Sequence, residues 1–109
     1  MAYDEALAER IRQLLAERDD VVEKKMFGGL AFLISGNMAV AASGQGGLML
    51  RCDAAETDEH IVDGAEPMIM RGKPMKGWLR VPTDDIVADA ALARWVDEGV
   101  AFAASLPPK

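Results

Sequence analysis

The sequence predicts an α+β domain: an antiparallel sheet with flanking helices, in the order helix, three or four strands, short helix, two strands, helix. Three observations predict it. Apolar runs in the first half of the chain are separated by closely spaced glycine-marked turns, "FGG", "SGN" and "GQGG". Both ends instead carry apolar residues at three- and four-residue spacing. The chain has 109 residues, half of them hydrophobic, which suits one domain over residues 1–109.

Residues 4–18, "DEALAERIRQLLAER", read as an amphipathic helix with Leu7, Ile11, Leu14 and Leu15 on its apolar side. Asp4 is the expected N-cap, and Glu5 suits the positive end of the helix dipole. "VVEKKMF" reads as a strand of mixed polarity, and Phe27-Gly28-Gly29 as a turn or bulge. "LAFLI" is a buried strand. "SGNM" is a hairpin connection with Gly36-Asn37 in the left-handed region, and "AVAAS" is the returning strand. "LMLRC" follows the "GQGG" turn as the next strand. A short helix is expected from Asp53 or Thr57 to Val62, closed by Gly64. "MIM" and "WLRVP" are strands joined by the connection "RGKPMKG". Thr83 is read as the N-cap of a final helix with Ile86, Ala90, Ala93, Trp95, Val96 and Val100 inward, ended by "SLPPK".

The net charge is −6, which opposes non-specific binding to nucleic acid. The charge is uneven: −3 over residues 1–20, +2 over 21–52, −6 over 53–67, +4 over 68–82 and −3 over 83–109. All excess positive charge lies in two central segments. Its ordinary role is to solvate strand edges and deter edge pairing. No apolar run approaches the ~18 residues of a membrane span. The acidic start "MAYDEALAER" lacks the order of a signal peptide, so a cytoplasmic protein is expected. Cys52 is the single cysteine, which suits a reducing compartment.

The glycines form no phosphate-binding loop, because no lysine follows them at the required spacing. Cys52 and His60 are too few for a zinc site, and the acids around them lack calcium-loop spacing, so neither metal nor cofactor is expected. Strand alternation sets Arg51 opposite Cys52; a solvent-facing Arg51 makes Cys52 core-facing and inert. No catalytic constellation emerges. The remaining candidates are basic: Lys24 and Lys25, then Arg71, Lys73 and Lys76 beside Trp78. An aromatic among cations stacks on a base or joins a cation–π contact, and in a strand it also packs into a core. Met26, Met38, Met49, Met68 and Met70 fall in strands, where burial is the first expectation and an adaptable binding face the second.

Taken together, "KKMFGGLAFLISGNMAVA", "LMLR", "RGKPMKGWLRV" and "FAASLPPK" resemble the N-terminal domain of the TfoX/Sxy family over nearly the whole chain. The motifs carrying the resemblance are Met26-Phe27-Gly28-Gly29, Gly36-Asn37-Met38 and Pro74-Met75-Lys76-Gly77-Trp78. It implies a fold like that of type III secretion chaperones. It also implies a link to transcription, since full-length members regulate competence genes and are thought to act with a catabolite-type activator protein. Those members carry a second, helical C-terminal domain, whereas this sequence stops at Lys109, so a stand-alone domain is expected. The resemblance offers no catalytic residues. The expectation is a non-enzymatic interaction domain, a homodimer, acting on a transcription-regulator protein. The alternatives are nucleic-acid binding through the two basic segments and a small-molecule site near Trp78, Cys52 and His60.

Overall fold

The computed structural model describes residues 4–26, 28–44, 46–53, 55, 66–70 and 72–107, with backbone alone at Met26, 67–70 and 73–76. Helix α1 spans Glu5–Leu14. Asp4 caps it, its Oδ1 accepting from the N–H groups of Ala6 at 2.9 Å and Leu7 at 3.1 Å. Leu7, Ala8, Ile11 and Leu15 are buried. Leu14 lies at the margin of that stripe and is 44% exposed, contrary to the periodicity reading.

Six strands follow: β1 (Val21–Met26), β2 (Gly29–Ile34), β3 (Asn37–Ala42), β4 (Leu48–Arg51), β5 (Glu66–Met70) and β6 (Lys73–Val81). They form one sheet in the order β1-β2-β3-β4-β6-β5, with every neighbour antiparallel. This bears out the α+β class. Apart from Asp53 and Ala55, the short helix expected between β4 and β5, including His60 and Gly64, lies outside the described residues, as does Phe27.

The turns carry two lessons. Gly28 has φ +75°, and a Cβ at Gly29 would run into the Ala42 carbonyl oxygen, with the Gly44 nitrogen 3.0 Å away. The "GG" pair therefore serves backbone conformation at one position and close backbone packing at the next. In the β2–β3 hairpin the left-handed pair is Ser35 (φ 51°) and Gly36 (φ 87°), one residue earlier than expected. Asn37 instead opens β3. It is 2% exposed, and its Nδ2 donates to the Pro107 carbonyl at 2.9 Å, tying the hairpin to the end of the chain's last helix.

Two expectations are overturned. "KPMKG" is part of β6, not a connection. Pro74 is tolerated because β4 pairs with β6 only at residues 78–81, leaving β5 as the ladder neighbour at Pro74. The final helix does not begin at Thr83. A 3-10 turn at Thr83–Ile86 precedes α2 (Asp89–Ser105), and extended Ala88 breaks the two. The turn drops Ile86 into the core, leaving Val87 70% exposed. The break also resets the helical phase. Leu92, Trp95, Val96, Gly99, Val100 and Ala103 face inward, while Ala90 is exposed. Arg10 fastens the break by donating to Val87 O and to Asp89 Oδ1, both at 3.1 Å.

Both helices cover one sheet face, over a core that includes Phe32, Val40, Leu48, Leu50 and Leu79. On the opposite face Ala31, Met38, Ala41 and Met49 form a second buried cluster with Leu33 and Trp78 at its margin. The burial of Met38 and Met49 matches the first expectation for the strand methionines. No described helix is long and apolar enough to cross a membrane.

Candidate functional site

β1 forms one edge of the sheet. Its ladder with β2 begins where Ser35 N–H donates to Asp20 O at 3.0 Å. Antiparallel pairing alternates, so counting from that bond turns the backbone of Val22 and Lys24 toward β2. The N–H and C=O groups of Val21, Glu23 and Lys25 then point outward, away from the sheet. The side chains follow the same alternation. Glu23 and Lys25 lie on the helix face, and Val22 and Lys24 on the other. All four residues are exposed, Val22 by 58%.

Glu23 is already engaged. Arg12 of α1 grips it through Nε to Oε2 and a terminal nitrogen to Oε1, both at 2.8 Å, and also reaches Glu9 at 3.1 Å. The guanidinium's hydrogen bonds hold the Glu23 carboxyl below its ordinary value of 4.5, against a smaller opposing effect of burial. A lowered acid pKa stabilises the fold above the ordinary value, and that support is lost as pH falls through the lowered one. Glu23→Gln is therefore expected to lower stability at pH 7, by up to about 1 kcal/mol for so exposed and solvent-screened a pair. Urea melts should show the difference closing on acidification below 4.5. A gap that persists undiminished at pH 2 would refute the assignment.

The charge on this edge stands out once the other cations are traced. Arg10 pairs with Asp89 at 3.1 Å, Arg18 with Asp20 at 3.0 Å, and Arg80 with Glu66 at 3.0 Å. Arg80 also donates to Gly46 O at 3.1 Å. Arg94 lies 4.3 Å from the Trp95 ring centroid. Arg51 is held between two rings, 5.0 Å from Trp78 and 5.2 Å from Phe102. Each arginine whose side chain is described has an internal partner. Lys24 and Lys25 have no ion pair among the described residues.

The second basic segment sits elsewhere. Arg71 lies outside the described residues, and Lys73 and Lys76 are placed by their backbone alone. The ladders put Lys24 level with Arg80 of β6, across four strand steps, or roughly 19 Å at ~4.8 Å per step. Lys73 is a further seven residues down β6, about 23 Å along the strand at ~3.3 Å per residue. Lys24 and Lys73 therefore lie toward diagonally opposite corners of the sheet. Trp78, expected beside the lysines, packs at the margin of the second cluster and against Arg51.

Arg51 corrects a second expectation: it is not simply solvent-facing. Its Nε is buried and lacks a hydrogen-bond partner among the described residues. Phe102, its other ring, gave no signal in the sequence, because the pair is 51 positions apart and meets only when α2 crosses the end of β4. Cys52 is 2% exposed in the helix-side core, and its expected neighbour His60 lies outside the described residues. Among the described residues no group of three or more His, Cys, Asp and Glu is placed to hold a metal. A shallow cleft of about 220 Å³ beside Phe102 is lined by Asp53, Glu98, Ala101 and Ser105.

No curated protein and no solved structure matches the chain. The family model of the TfoX N-terminal domain matches residues 13–103, from within α1 to within α2. That span takes in the whole sheet, the β1 edge with its two lysines and the stacked Arg51, and on it the chain belongs to the TfoX N-terminal domain family.

Proposed function

We propose that this domain is a non-enzymatic regulatory module that acts by binding another protein, as a co-regulator of transcription in the manner its family suggests. One observation carries the reading: the described arginines are committed inside the fold, while Lys24 and Lys25 stand uncommitted on an exposed sheet edge. A single groove for nucleic acid draws less support, because Lys24 and Lys73 lie toward opposite corners of the sheet.

Tagged protein is to be passed through native-host lysate with and without nuclease. A stoichiometric, nuclease-resistant protein is expected, and Lys24→Glu/Lys25→Glu should reduce its recovery at least about tenfold, since rim charges steer association. Recovery that vanishes with nuclease would replace this reading with nucleic-acid binding. That binding would show a log–log salt slope of about −0.9 per phosphate contacted on duplex DNA.

A further inference from the structure

We propose that the β1 edge accepts an extended acidic peptide as a seventh strand; this rests on the interaction reading above and names the partner's chemistry. Strand addition needs an exposed edge with unpaired backbone groups, and Val21, Glu23 and Lys25 present backbone groups that no described residue pairs. Lysines on an edge deter association with apolar or basic strands. The same lysines admit an acidic one.

The register specifies the peptide further. In an antiparallel arrival its residues meet Lys25, Lys24, Glu23, Val22 and Val21 in that order. Cross-strand partners share a face, so the first two positions favour acids, one on each side of the sheet. The third meets Glu23, whose charge Arg12 already neutralises, so a neutral polar residue suits it. The fourth meets Val22, which is 58% exposed and gains an apolar neighbour. The fifth lies beside Val21, which packs against the helix-side core. The pattern is acid, acid, neutral polar, apolar, apolar. A second copy of the chain fits less well. Two-fold pairing centred on Lys24 sets Lys24 against Lys24, and its two Glu23–Lys25 contacts meet a Glu23 that Arg12 already holds, while pairing centred on Glu23 sets Glu23 against Glu23.

The test is a titration of ¹⁵N-labelled protein with the capped peptide GEETVVG. Expected are shifts and slowed exchange at the amides of Val21, Glu23 and Lys25, and at least about tenfold weaker binding by Lys24→Glu/Lys25→Glu, the effect of losing two charge contacts. The charge-reversed peptide GKKTVVG should not bind, nor should GEETVVG N-methylated at its first Glu, its Thr and its second Val, the positions that face Lys25, Glu23 and Val21. No shifts up to ~1 mM peptide, a concentration matching about 4 kcal/mol of binding, would overturn the proposal. So would unweakened binding of the methylated form, or shifts centred on β5 and β6. Pairing of the free protein with itself, seen by sedimentation together with slowed exchange at the amides of Val21, Glu23 and Lys25, would assign the edge to a second copy instead. The interaction reading fails separately. It falls if the lysate capture returns no protein, and it stands with another contact surface if capture succeeds but ignores the β1 substitutions.

Discussion

Gly99→Val is expected to lose about 3 kcal/mol or more, the upper range for forcing extra atoms into a packed interior. Gly99 is where α2 lies against β3. A Cβ there would run into the Ala39 carbonyl oxygen and come within 2.7 Å of Val40 Cγ1. The nearest obstacle is backbone at the centre of the sheet, so relief requires the helix to lift. Lifting it exposes Leu92, Val96 and Ala103, which are buried beneath it. It also pulls Phe102 away from Arg51. Alanine has the better helix propensity by about 1 kcal/mol, which offsets part of the clash in Gly99→Ala. Urea unfolding of the two variants separates these effects. A valine variant as stable as the parent would show that glycine does not set the helix–sheet distance.

Asn37→Asp is expected to destabilise nearly as much, by about 3 kcal/mol at neutral pH, because it leaves a buried charge unpaired. The amide nitrogen that donates to Pro107 O becomes a carboxylate oxygen facing a carbonyl oxygen at about the same distance, 2.9 Å in the parent. Both burial and that repulsion favour the protonated acid, so the introduced group has a raised pKa in the folded state. The sign follows: the penalty is largest above the folded pKa and shrinks as pH falls through it, because the protonated acid donates where the amide did. The parent protein lacks this recovery on acidification. Paired melts at pH 7 and pH 5 check it. A penalty independent of pH would mean that the Asn37 contact is not the buried tie between the hairpin and the end of α2.

Much of the sheet was legible because local chemistry determines it. Gly28-Gly29 and Ser35-Gly36 mark chain reversals at any tertiary position, and the apolar runs of β2, β3 and β4 are long enough to require burial on both faces. The misreadings have a common cause in tertiary packing. Thr83, Asp84 and Asp85 fit the start of a helix, and so do Ala88 and Asp89. Only the need to seat Ile86 selects the second start. Pro74 argues against a central strand, and the sequence does not reveal that β4 stops short of it. The lysines at 24 and 25 signalled an edge, as charged strand residues do. What the sequence could not give was the fate of the six described arginines, which fixes the meaning of those two lysines. Arg12 meets Glu23 across the α1–β1 connection, and Arg51 meets Phe102 from the far end of the chain.

The openness of the β1 edge is the claim on which the functional reading turns, and amide hydrogen exchange tests it residue by residue in the isolated protein. Val22 and Lys24, bonded into the β2 ladder, should exchange slowly, while Val21, Glu23 and Lys25 should exchange fast and become protected when the captured partner is bound. Slow exchange at all five amides in the free protein would mean that the edge is already covered, and would contradict the assignment of β1 as the docking site.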